Sequence, residues 1–220
     1  MSQPLSREIE IEPAHAALLF VDVQTYNCSW DGGEYAQLGA GEKEQRFGYF
    51  FRTLKHSALP NMVLLQQASR RAGIEVIYTV IESLTADGRD RSLDYKISGF
   101  NVPKGSADAS VVSELTPGAD EIVFTKTSSS VFISTNIDYV LHNLGTRYLI
   151  VAGCLTDQCV DSTVRDACDL GYLVSVPTDA CVTLSAERHE SSLRNNRGYC
   201  RQLGTRKLLD EIERLTGEGG

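Results

Sequence analysis

The chain predicts an α/β fold in which a parallel sheet carries helices on both faces. Three observations point there. Short apolar, β-branched runs alternate with helix-like segments. Glycine or proline punctuates the changes. The connections are long enough for crossovers between parallel strands.

AALLFVDV (16–23) is apolar up to its aspartate and reads as a buried strand. Mixed charge and aromatics over 41–56 read as a helix. PNMVLLQQASRRA (60–72) is another, with Pro60 tolerated in its first turn and Gly73 as its stop. GIEVIYTVI (73–81) is the second strand. Residues 82–107 contain Gly88, Gly99, Pro103 and Gly105 and read as a long loop that either covers the site or lies at an interface. ASVVSEL (109–115) reads as a short helix ended by Pro117-Gly118, and DEIVFTK (120–126) as the third strand. STNIDYVLHNLG (134–145) is a helix with Ser134 or Thr135 as N-cap and Gly145 at its end. RYLIVAG (147–153) is the fourth strand. A helix over 157–170 follows, stopped by Gly171. YLVSVPTDAC (172–181) supplies a fifth strand and room for a sixth. ERHESSLRN (187–195) and TRKLLDEIERL (205–215) close the chain as helices. No repeat or linker intervenes, so one domain spans 1–220, with a GEGG tail expected to fray.

With 220 residues, 42% of them hydrophobic, the chain can bury a substantial core. A net charge of −8 argues against nucleic acid and anionic membranes as main partners. The apolar runs are far shorter than a membrane span, and the polar start MSQPLSREIEIEP is no signal peptide, so a cytoplasmic protein is expected. The six cysteines (28, 154, 159, 168, 181, 200) are expected as free thiols. The chain is too long for a disulfide-stapled mini-domain, and no C-x-x-C pair occurs. The four histidines are scattered, so neither metal nor other cofactor is expected.

Ligands of a doubly wound sheet sit at the carboxyl ends of its strands. There the sequence places Asp22 after the first strand, Lys126 at the end of the third, and Cys159 in GCLTDQCVDSTVRDAC after the fourth. Each has an ordinary alternative: a turn or cap carboxylate, a solvated lysine, a small core cysteine. Together they describe nucleophilic catalysis. A helix N-terminus and the Lys126 ammonium favour the Cys159 thiolate, which should then react with iodoacetamide well below pH 8. Asp22 takes the thiol proton and returns it to a leaving nitrogen. Backbone N–H groups of Leu155 and Cys159 suit an oxyanion. Cys154 reads as the end of a buried strand and Cys168 as a core-facing helix residue, with a Cys154–Cys159 redox pair as the alternative.

LLFVDVQ, IVFTKTSSSVF and IVAGCLTDQCVDSTVRDACDLGY, in that order, resemble the isochorismatase-like cysteine hydrolases from about residue 14 to 215. The resemblance implies a three-layer α/β/α domain with a six-stranded parallel sheet and the triad Asp22, Lys126, Cys159. It also implies a cis peptide between Cys154 and Leu155, a homo-oligomer (dimer or tetramer), and a small-molecule substrate. Nicotinamidases of this family hold a metal with histidines, but YNCSWDGGEY and ESLTADGRDR hold none. Isochorismatases proper lack the cysteine, so Cys159 argues against that activity. The spacing from Lys126 to Cys159 and the segment ERHESSLRNNRGYCRQ are most similar to biuret and triuret hydrolases.

The expected reaction is therefore hydrolysis of a C–N bond in a small ureide or carbamoyl compound. Asn27, Ser129, Ser130 and Gln202 are candidates for binding its polar groups; TSSS (127–130) reads equally as a helix-capping loop, and Gln202 as a solvated helix residue. Tyr26, Trp30 and Phe132 are candidate walls or core. One alternative is a ureidoacrylate or N-carbamoyl amino acid amidohydrolase, whose carboxylated substrate would call on Arg89, Arg91 or Arg201. Another is a non-catalytic oligomeric scaffold that keeps the fold.

Overall fold

A computed structural model describes residues 6–217; the first five residues and most of the tail expected to fray lie outside the described residues. β1 (Ala16–Val21) is buried along its whole length, as the centre of a sheet covered on both faces requires. A single turn, α1 (Thr25–Cys28), leads by an irregular segment to α2 (Ala40–Thr53). α2 passes through a π-helical stretch, Leu54–Ala58, into α3 (Leu59–Arg71), so the two helices expected here join without a break. Pro60 has no N–H to give the preceding turn, and the backbone widens just before it.

β2 (Glu75–Ile81) follows, and the expected long loop contains α4 (Leu93–Ser98). Ser92 caps α4 by accepting the Tyr95 N–H, and Gly99 ends it at φ 81°. The short helix expected over 109–115 is instead two 3₁₀ turns, Ala107–Ala109 and Ser113–Leu115. Between them Val111 forms an antiparallel bridge with Gln24, which a helix would have prevented. β3 (Ile122–Lys126), α5 (Val131–Ser134), α6 (Ile137–Asn143) and β4 (Tyr148–Cys154) come next. A π-helical turn, Thr156–Val160, then opens α7 (Asp161–Asp169). β5 (Leu173–Pro177), β6 (Cys181–Val182), α8 (Ala186–Asn196), β7 (Arg201–Leu203) and α9 (Thr205–Thr216) complete the chain.

The sheet runs β3-β2-β1-β4-β5-β7 with every pair parallel, and the two-residue β6 pairs beside it with β4. Successive strand residues face opposite sides. Leu18, Phe20, Val76, Tyr78 and Ile150 pack with Phe50, Met62, Leu65 and Ile212 of α2, α3 and α9. Leu19, Val21, Ile77, Leu149 and Val151 pack with Val131, Leu141 and Val164 of α5, α6 and α7. This is the expected three-layer α/β/α architecture.

The strand order reverses at the neighbours β1 and β4. Loops at their carboxyl ends diverge there and leave a crevice. Gly153, paired with Val21, lets the two strands close up: its φ is 128°, and a Cβ would lie 2.2 Å from the Val21 carbonyl oxygen.

Candidate active site

Three strand ends deliver Asp22, Lys126 and Cys159 to that crevice. Asp22 is wholly buried and has φ 54°, an uncommon left-handed backbone for a residue other than glycine. Its N–H still donates to the Thr79 carbonyl of β2, at 3.1 Å. Thr79 Oγ1 donates to Asp22 Oδ1 at 2.8 Å, which fixes the carboxylate plane. Lys126 ends β3, also wholly buried, and reaches across β2 to place Nζ 2.8 Å from Asp22 Oδ2. The same Nζ lies 3.4 Å from Cys159 Sγ, 2.8 Å from the Ser128 carbonyl oxygen and 2.9 Å from the Tyr95 hydroxyl. The lysine is thus the hub, with the carboxylate and the sulfur both in contact with its ammonium.

Cys159 lies in the π-helical turn that opens α7. α8 braces this turn: Ser192 Oγ donates to the Thr156 carbonyl at 3.1 Å, Thr156 Oγ1 meets His189 Nδ1 at 2.9 Å, and Arg188 Nε donates to Asp157 Oδ2 at 2.5 Å. The segment ERHESSLRN therefore supports the turn that carries the sulfur. The Cys154–Leu155 peptide is cis, at the position the family resemblance gives.

The electrostatics bear on one expectation. Burial pushes the Cys159 thiol up, Lys126 pulls it back and the Asp22 charge pushes it up again, to about 12. A thiolate would put two anions on one buried ammonium, which disfavours ionisation of the resting sulfur. Rapid alkylation well below pH 8 is therefore not expected of the resting protein. Burial also pushes Lys126 down, but the Asp22 charge outweighs it and holds the group well above its ordinary value.

Asp22, Asn27, Cys154, Cys159, Glu34 and Gln158 give the cavity its polar and sulfur lining, while Ile81, Tyr95, Phe100 and Leu155 wall it. The space for water centres is about 20 Å³, room for about one water. Asn27 is buried, its Nδ2 directed at Cys154 Sγ (3.6 Å) and its Oδ1 without a partner. Of the four binding candidates, Asn27 alone lines this cavity. Ser130 Oγ instead caps α5 by accepting the Phe132 N–H at 3.2 Å, and Ser129 lies in the same capping loop. What the TSSS loop contributes to the site is a carbonyl, that of Ser128. Gln202 sits on β7, beyond β5, where its amide donates to the Leu193 carbonyl at 2.6 Å.

The expected aromatic walls also shift. Tyr26 packs at a tilt on Phe100, Trp30 on Phe51, and Phe132 on Tyr172. The walls are Tyr95 and Phe100, so the 82–107 segment covers the site. Sequence reasoning missed Tyr95; the signal was its place in a capped turn, SLDYKISG, inside a loop too long to be a plain connection. None of the three arginines reaches the cavity. Arg201 is buried in an ion pair with Glu211 at 2.9 Å, Arg89 is exposed beside Asp87, and Arg91 donates to the Gly88 and Phe100 carbonyls.

All six cysteines are free. Cys154 is buried as expected, its Sγ 3.6 Å from Cys28 Sγ; Cys168 is only half-buried, because Val164 and Ala167 take the core face of α7. Among the described residues no cluster of His, Cys, Asp or Glu is arranged to hold a metal, and no helix is long and apolar enough to cross a membrane.

Comparison with known proteins gives the family. The chain is 30% identical over 188 residues to ureidoacrylate amidohydrolase RutB of Rhizobium rhizogenes, covering 78% of this chain and 72% of that one. It is 31% identical over 186 residues to a probable inactive nicotinamidase of Arabidopsis thaliana, covering 81% and 86%. A cysteine hydrolase from Pseudomonas syringae pv. phaseolicola superposes with a TM-score of 0.81 over 98% of this chain and 100% of that one, at 24% identity. The model of the Isochorismatase domain matches residues 16–207, and the chain belongs to the isochorismatase family.

Proposed function

We propose that this protein is a cysteine-dependent amidohydrolase that cleaves a C–N bond in a small ureide or carbamoyl compound, biuret- or triuret-like. The observation that carries the reading is the single buried ammonium of Lys126 in contact with both the Asp22 carboxylate and the Cys159 sulfur. Cys159 Sγ attacks the substrate carbonyl as its proton passes to Asp22. Lys126 holds both partners while charge moves between them. The carbonyl oxygen becomes an oxyanion beside the backbone of Leu155 and Cys159. Asp22 then gives its proton to the departing nitrogen, the C–N bond breaks, and ammonia or an amine leaves an acyl group on sulfur. Water, deprotonated by Asp22, attacks this thioester; the C–S bond breaks and the sulfur recovers its proton.

The upward push on the Cys159 thiol fits this sequence, in which Asp22 begins as the base. Similarity to a ureidoacrylate amidohydrolase supports a ureide and also favours a second reading, hydrolysis of ureidoacrylate or an N-carbamoyl amino acid.

Ammonia release from biuret, triuret, N-carbamoylsarcosine, ureidoacrylate and nicotinamide tests both, with Cys159→Ala as control. Cysteine-dependent release from biuret or triuret supports the first reading. Release only from the carboxylated compounds supports the second. Turnover by Cys159→Ala near the wild-type rate sinks the mechanism.

A further inference from the structure

The mechanism leaves one ionisable group of the cavity unused. Glu34 lines it together with Asp22, Asn27 and Cys159. It stands in an irregular turn between α1 and α2 that the fold pins firmly. Gly32 is pressed so close to α1 that a Cβ would lie 2.2 Å from the Thr25 carbonyl oxygen. The Glu34 N–H donates to the Tyr26 carbonyl at 3.3 Å. The next residue, Tyr35, is buried edge-on against Phe47 and Phe51, and its hydroxyl donates to the Asn27 carbonyl at 3.1 Å. The turn thus joins Glu34 and Asn27, and places both side chains on the cavity that holds Cys159.

Their chemistry is that of acceptors. Asn27 Oδ1 is buried without a donor, and Glu34 is an acid on which Arg46 pulls only weakly, being already paired with Glu42 at 2.8 Å. No arginine or lysine stands among the cavity's lining residues, and Lys126, just behind them, is committed to Asp22. An unpartnered buried acceptor calls for a donor from the ligand. An uncompensated carboxylate repels another carboxylate.

We propose that Glu34 is the specificity-determining residue of this site: with Asn27 Oδ1 it accepts the N–H groups of an uncharged ureide and rejects ureides that carry a carboxylate. This inference rests on the amidohydrolase reading of Cys159 and narrows its substrate class. Burial raises the Glu34 carboxyl to about 7, against the smaller pull of the Tyr35 hydroxyl and Arg46, so in mildly alkaline solution the group is charged.

Iodoacetamide and iodoacetate test it without turnover. Each forms one S–C bond at Cys159 and expels iodide, the thiol proton passing to solvent; they differ only in an amide or a carboxylate. Both draw on the same thiolate, so its ionisation cancels in the ratio of their rates. Labelling of the Cys159 peptide is followed by mass spectrometry at pH 9 in wild type, Glu34→Gln and Glu34→Asp. Wild type should favour iodoacetamide, Glu34→Gln should lower that preference by about tenfold, and Glu34→Asp should largely keep it. In the same proteins, kcat/KM for ureidoacrylate relative to biuret should rise in Glu34→Gln alone. An unchanged reagent ratio in a folded Glu34→Gln overturns the inference while leaving the triad intact. Where Cys159 takes neither reagent, the kcat/KM ratio decides, and a ratio unchanged in Glu34→Gln overturns the inference. A Cys159→Ala protein with wild-type turnover removes the amidohydrolase reading and this inference with it.

Discussion

Replacing Asp22 by asparagine should make Cys159 more reactive and the enzyme less active. The carboxylate and the sulfur both touch Lys126 Nζ, at 2.8 and 3.4 Å, so they lie no more than about 6 Å apart. At an effective dielectric of 20, unit charges at that distance repel by about 2.7 kcal/mol. Removing the Asp22 charge therefore lowers the thiol pKa by about two units. Thiolate nucleophilicity falls with pKa by about half of that in logarithmic terms, which leaves alkylation at pH 8 about tenfold faster. Asparagine can still accept the Thr79 hydroxyl, and Tyr95 and Ser128 still receive Lys126, so the pocket keeps its shape. Turnover should nevertheless fall by about 10²-fold or more, because no group remains to carry the proton to the leaving nitrogen. The assay pairs iodoacetamide kinetics at the Cys159 peptide with ammonia release on the same protein. Slower alkylation, or turnover that survives, would refute the reasoning.

Lys126→Met should cost about 3–5 kcal/mol in denaturant titration, because it strands a wholly buried Asp22 carboxylate. Gly153→Ala should lower the denaturation midpoint sharply or prevent soluble expression, since its Cβ would collide with the Val21 carbonyl. Glu34→Gln should raise stability at pH 8 and leave it unchanged near pH 4. A carboxyl lifted from 4.5 to about 7 destabilises the fold increasingly as pH climbs between those values, to a ceiling of about 3 kcal/mol above them; thermal melts at the two pH values read the difference.

How much of this was legible in the chain depends on what each residue packs against. The five longer strands announce themselves because parallel strands covered on both faces are nearly continuous apolar runs, and each lies within two residues of its expected start. The sixth strand of the main path did not. Beyond β5, the segment up to 181 leads only into the two-residue β6; the outer strand is β7, and it reads RQL. Arg201 can be buried there because Glu211 of α9 neutralises it with two hydrogen bonds, at 3.0 and 2.9 Å. Hydropathy sees a charge and cannot see its partner. Asp22, Lys126 and Cys159 are legible by the opposite logic, as polar or reactive residues closing apolar runs at the sheet's carboxyl edge.

Glu34, Tyr95 and Phe100 lie in connections with no period to read, and their meaning comes from what they face. Tyr95 becomes part of the site only because α4 folds back until its hydroxyl meets Lys126 Nζ and donates to the Ser128 carbonyl. The same division separates chemistry from selectivity. Lys126 and Asp22 offset each other's burial and are fixed to strand ends. Glu34 is partly buried with no such partner at hand, and its raised pKa is the free energy the fold gives up to keep it there. A charge held against that gradient, on the cavity that contains the nucleophile, is where the substrate's own donors have the most to contribute.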